Sequence, residues 1–176
     1  MHTRGLARST TKEIAKAAGF SEASLYKHFQ DKTDLFIAVL TERVPSSLGA
    51  LLADLTPGEG TVADTLTRVA RGAMEFYATT FPIAASVFSE PSLLAAHRAA
   101  LRERGAGPQK VNTLLAAYLA GERELGRVDA AADPYASAAL LLGACLQHAF
   151  LAHFDEVEPA DQFAATLVRT LLAGVC

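Results

Sequence analysis

A single glycine, Gly19, set between two short helix signals, constrains this 176-residue chain more than any other feature. Before it, Thr10 is placed to cap a helix, and Glu13 three residues on completes the capping-box pattern. Ile14, Ala15 and Ala18 then share one face. Glycine can take the left-handed conformation that ends such a helix without a Cβ penalty. Phe20 plugs the corner, and Ser21 caps a second helix whose inward residues, Leu25 and Phe29, stand four apart. Asp31 caps a third, with Asp34 near its positive end. Two short helices joined through a glycine turn form a helix-turn-helix, which lays its second helix in the major groove of DNA.

The stretches Ile14-Ala15, Ala17-Ala18-Gly19-Phe20-Ser21 and Leu25-Tyr26, with Phe29, Lys32 and Leu35, resemble the amino-terminal signature of TetR-type transcriptional regulators. The motif covers about a fifth of the chain, and the all-helical remainder matches in architecture alone. The resemblance implies a homodimeric, ligand-responsive repressor. TetR-like heads carry a further helix before the turn-helix pair. Here only MHTRGLA precedes the capping region, enough for about one helical turn. The first helix of the DNA-binding domain is therefore expected to be largely missing, through a start placed too late, a truncation or a real loss, and Ile14, Leu25 and Phe29 are expected to lose part of their cover.

Charge follows the same division. Residues 1 to 45 hold seven Lys and Arg (4, 8, 12, 16, 27, 32 and 43) against five acids (13, 22, 31, 34 and 42), a net of +2. The remainder holds nine against fourteen, −5, and the two make up the chain's −3. A modestly basic head on an acidic body suits a small DNA contact, since phosphate neutralisation is local.

The recognition helix is predicted to run from about Glu22 to His28. Leu25 turns inward, leaving Glu22, Ala23, Ser24, Tyr26, Lys27 and His28 outward as candidate DNA contacts. Ser24 and Tyr26 are short- and long-reach hydrogen-bonding groups, and Lys27 and His28 suit phosphates or base edges. Thr10, Thr11 and Lys12 at one helix start and Lys32 at another are placed for phosphate.

Beyond the head, periodicity predicts helices throughout, and hence an all-α chain. A small helix-turn-helix domain (residues 1–44) is followed by a larger ligand-binding and dimerisation domain (45–176). One long helix is expected from Thr33 to about Ala53, with Pro45 kinking or dividing it. After the Thr56-Pro-Gly-Glu-Gly60 linker, an amphipathic helix runs from Val62 to Thr80. Phe81-Pro82 is expected to interrupt it before a short helix from Ile83 to Phe88. Helices then follow from Ser92 to Glu103, opened by Pro91, and from Val111 to Leu125.

The segment from Pro134 to about Phe154 is apolar almost all round, and a last helix spans Ala160 to Ala173. Small residues at Ala138, Ala139, Gly143 and Ala144 would let the apolar helix meet its own copy closely. The helices 134–154 and 160–173, paired across a two-fold axis, predict a four-helix homodimer interface.

A small-molecule pocket in the body is expected to draw on Phe76, Tyr77, Phe88, Tyr118 and Phe150, with Gln147 and His148 as polar groups. Aromatics in such places more often form plain core, and a histidine on an apolar helix is more often simply hydrogen-bonded. His97, His148 and His153 show no metal-ligand spacing, and no catalytic motif is recognisable, so neither metal, cofactor nor enzymatic activity is expected. Gln147, His148 and His153 interrupt the most membrane-like run, Ala138 to Phe154, and no secretory signal is visible. Cys145 in an apolar run and the terminal Cys176 suggest no disulfide framework and a reducing cytoplasm. The rival to a DNA-binding regulator is a helical dimer that binds a ligand or partner protein without any DNA role.

Overall fold

In the computed structural model, residues 11–17, 19, 21–29, 34–35, 47–103 and 105–174 are described. Every regular element among them is a helix: α1 (Thr11–Ala17), α2 (Glu22–Leu25), α3 (Ser47–Ala53), α4 (Val62–Phe88), α5 (Pro91–Glu103), α6 (Pro108–Glu124), α7 (Pro134–Leu151) and α8 (Ala160–Ala173). The chain is all-α. It divides into two compact units, Met1–Pro45 with Thr80–Ala106, and Ser46–Thr79 with Gly107–Cys176.

The second unit is built on the periodicity of its helices. Leu48 and Leu52 of α3, Val62, Leu66, Val69, Ala70, Ala73 and Met74 of α4, and Leu115, Tyr118 and Leu119 of α6 enter one core. Ala138, Leu141, Leu142 and Cys145 of α7 and Ala164 and Val168 of α8 complete it. Burying a side chain the size of leucine contributes about 1.5–3 kcal/mol, so this core supplies most of the unit's drive to fold. Side chains press directly onto helix backbone where glycine permits. A Cβ on Gly72 would stand 2.9 Å from Leu51, and one on Gly121 would stand 2.5 Å from Pro57.

Two helix starts carry side-chain caps. Asp133 accepts from the amide of Ala136 at 2.7 Å, with Pro134 in the first turn of α7. Thr61 accepts from the amide of Asp64 at 3.0 Å, and its hydroxyl donates back to the Asp64 carboxylate at 2.6 Å. By length and composition α7 could cross a membrane. Here its inner residues form core: Ala138, Leu141, Leu142, Cys145, His148 and Ala149 are buried.

One expectation is overturned. Phe81-Pro82 does not break the chain: α4 runs unbroken from Val62 to Phe88 with Pro82 inside it. Proline removes one helical hydrogen bond and crowds the carbonyl four residues earlier, a cost of about 3 kcal/mol. Burial on both sides of it offsets that cost. Val69, Ala73 and Met74 are held in the second unit's core, and Ile83 and Val87 in a cluster of the first. The Ser86 hydroxyl also donates to the carbonyl of Pro82 at 3.1 Å.

Of the helix expected from Thr33 to Ala53, Asp34 and Leu35 are helical and Ser47–Ala53 forms α3. Pro45 lies outside the described residues. The apolar helix predicted to reach about Phe154 ends at Leu151, with a turn beyond it.

Candidate nucleic-acid interface

The head follows its local chemistry closely. Gly19 takes φ +76° and donates to the carbonyl of Lys16 at 3.2 Å, closing α1 as the glycine turn requires. Ser21, in extended conformation, accepts from the amide of Ser24 at 3.1 Å and so caps α2. Regular α-helix covers only Glu22–Leu25, and residues 26–28 continue as turns. Tyr26 still donates to the carbonyl of Glu22 at 3.2 Å, and His28 and Phe29 donate to that of Leu25 at 3.0 Å. The helix predicted to extend to His28 is shorter than expected, but its hydrogen bonding runs on.

Side-chain placement separates an outer from an inner face. Ala23, Tyr26, Lys27 and His28 are exposed, Tyr26 at 51%. Glu22 and Ser24 are half-buried, as are Leu25 and Phe29, which pack against the cluster of Leu35, Val87, Leu93 and Ala100. Lys12 is exposed on α1, where Ala15 is buried. Thr11 lies in α1, and the placement of its side chain is not described. Thr10 and Lys32 lie outside the described residues. The exposed side chains here are a phenol, an ammonium and an imidazole, groups chemically able to reach phosphates and base edges.

The candidate pocket residues do not form one set. Phe76 and Tyr77 meet edge to face, ring centroids 5.5 Å apart, against the second unit's core, and Tyr118 is buried in it. Burial, with Cys145 nearby, pushes the Tyr77 phenol up to about 12. Phe88 is 68% exposed and belongs to the first unit, so it is no part of this core. Gln147 and Phe150 turn outward from α7, and Phe150 stacks on Phe154 at 4.9 Å. His148 is buried against Phe163, centroids 4.5 Å apart, with Nε2 2.8 Å from the carbonyl of Glu158. The bland reading of this histidine is the observed one.

Residues 1–39 match the family model of bacterial regulatory proteins, tetR family. The amino-terminal segment of the chain is thus similar to TetR-type regulators. Nucleoid occlusion factor SlmA of Actinobacillus pleuropneumoniae serotype 5b (strain L20) is 36% identical over 72 residues, 41% of this chain and 35% of that protein. SlmA of Haemophilus influenzae (strain PittGG) is 38% identical over 66 residues, 38% of this chain and 28% of its own. The chain thus spans about a third of the length of the curated relatives it matches.

Among solved structures, the transcriptional regulator FadR of Bacillus subtilis, in complex with stearoyl-CoA, superposes with a TM-score of 0.70 at 17% identity. That superposition covers 98% of this chain and 91% of FadR. A putative TetR-family regulator of Mesorhizobium loti gives 0.71 at 20% identity over 94% and 85% of the two chains. At these identities the fold is shared.

Sequence reasoning missed Glu122. It is fully buried on α6, accepting from the amide of Gly58 at 3.0 Å and ion-paired to Arg127 at 3.2 Å. Arg127 also donates to the carbonyl of Gly60. The Tyr118 hydroxyl faces Thr65 and Glu122 without a well-formed hydrogen bond, and burial raises its pKa. Together these groups fasten the 57–60 turn to α6. The available signal was position, because Glu122 continues the inward stripe of Leu115, Tyr118 and Leu119.

Proposed function

We propose that this chain is a ligand-responsive transcriptional regulator, a repressor. It binds a two-fold related DNA operator as a homodimer and is released by a small molecule. The observation that carries the reading is the exposed Ala23, Tyr26, Lys27 and His28 on a Ser21-capped helix after a left-handed glycine, within the segment that matches the family model. Tyr26, Lys27 and His28 meet DNA directly, and Glu22, Ala23 and Ser24 sit at the same groove. Lys12 and Thr11, with Thr10 and Lys32, contribute phosphate contacts.

The homodimer forms through the helices 134–154 and 160–173. Outward apolar residues support this: Leu140, Leu146, Phe150, Leu151 and Phe154 stand exposed along α7 and beyond it, and Leu172 on α8. Gly143, among them, has open space where a Cβ would stand, which admits a close partner helix. Such a stripe suits burial against a second copy. The ligand enters the second unit near Phe76, Tyr77 and Tyr118. It favours one of two body conformations, and DNA affinity falls by at most its differential affinity for the two.

The test is fluorescence anisotropy on duplexes from the DNA flanking the chain's own gene, across a salt series. Saturable, sequence-dependent binding with a steep salt slope is the expected result. Tyr26→Ala should weaken it by about tenfold or more without disturbing the dimer. Unchanged affinity in that variant removes Tyr26 from the contact surface. Binding no better than to scrambled DNA, by an intact dimer, leaves the helical ligand- or protein-binding module as the function.

A further inference from the structure

Among the described residues of 11–35, only Ala15 and Leu35 are buried. Alanine is too small to anchor a four-residue helix, and so short a helix does not hold itself together. Leu25 and Phe29 instead pack against a cluster in which Leu35 joins Val87 from α4 and Leu93 and Ala100 from α5, with Ile83, Leu94 and Ala96 around it. These residues come from a segment more than fifty positions downstream, yet Thr80–Ala106 forms one compact unit with Met1–Pro45. The reading head is therefore discontinuous in sequence. Its hydrophobic support is supplied by the last turns of α4 and by α5.

We infer that Val87 and Leu93 are positioning residues for the recognition helix. They touch no DNA, and they set where Tyr26, Lys27 and His28 stand by backing Leu25 and Phe29. Val87 is 4% and Leu93 3% exposed, so a truncation at either leaves a void that the half-buried Leu25 and Phe29 must fill by shifting. The consequence for DNA rests on the function proposed above. The positioning itself does not.

Amide hydrogen exchange on the full chain, without DNA, tests the positioning. In Leu93→Ala the hydrogen-bonded amides of Leu25, Tyr26 and Phe29 should lose protection by about tenfold or more, while those of Leu119 and Cys145 in the second unit hold theirs. Leu93→Met, which conserves volume, should restore the protection. Unchanged protection at residues 25–29, with loss confined to α5, would overturn the inference. Should Leu93→Ala lower protection everywhere, the milder Val87→Ala decides: loss confined to the first unit supports the inference, and uniform loss sinks it. Because no DNA is present, failure here is distinct from failure of the regulator reading. In the anisotropy assay, Leu93→Ala should then weaken binding and Leu93→Met recover it, a pattern a direct contact would not give.

Discussion

The two compact units are stabilised in different ways. In the second, five helices each send leucine, valine or alanine into one continuous core, and four of the largest fully buried side chains are leucines from four different helices, Leu48, Leu66, Leu115 and Leu141. In the first, the described part of the helix-turn-helix is specified by local chemistry, a left-handed Gly19 and a Ser21 cap, and its Leu25 and Phe29 pack on a cluster that draws on α4 and α5. Local signals can draw a motif without being able to hold it. A recognition element drawn by local signals and backed from a distant segment can shift when that backing changes, whereas a densely packed body resists anything except a change in its core.

The largest expected effect tests the body's side of this contrast. Leu141 on α7 is fully buried, so Leu141→Ala should cost roughly 2–5 kcal/mol, read as a lower denaturant midpoint at unchanged slope. A loss below about 1 kcal/mol would mean the core relaxes around the cavity, and the contrast between the units would fail.

A smaller effect is expected at the polar fastening. Glu122→Ala strands the Gly58 amide and removes the carboxylate paired with Arg127, and should cost about 2–3 kcal/mol. Glu122→Gln, which keeps an acceptor for Gly58, should cost less. Equal losses in the two variants would show that the charge pair, rather than the hydrogen bond to the 57–60 turn, carries the stabilisation.

The legibility of these features in the sequence divides along physical lines. Gly19, the Ser21 cap, Pro91 and Pro134 act within a few residues, and each was readable where it stands. Pro82 was misread because its local cost is real and the burial that offsets it is not local. The grouping of Thr80–Ala106 with the head was invisible for the same reason. Helix α7 hid its orientation differently. Its residues are apolar nearly all round, so hydrophobicity could not say that His148 faces in while Gln147 and Phe150 face out. Outward apolar residues and pocket-lining ones look alike until the packing is known.

The smallest effect sharpens the contrast from the side of the first unit. His97 lies on α5, its Nδ1 is buried without a hydrogen-bond partner among the described residues, and burial lowers its pKa below the ordinary 6.5. A histidine held neutral on folding binds fewer protons than it does in the unfolded chain. Its contribution is therefore fully present above about pH 6.5 and is lost as the pH falls through its lowered native value. As the pH falls from about 6.5 towards the onset of carboxylate protonation near pH 4, acid should loosen the first unit before the second. Amide exchange at pH 7 and pH 5.5, corrected for intrinsic rates, should show falling protection in α5 and in residues 24–29, with α6 and α7 unmoved. His97→Phe, which cannot take up a proton, should abolish the difference between the two pH values. Equal loosening of both units in the wild-type chain would place the acid sensitivity elsewhere, and would remove the claim that the head's support is the weaker of the two.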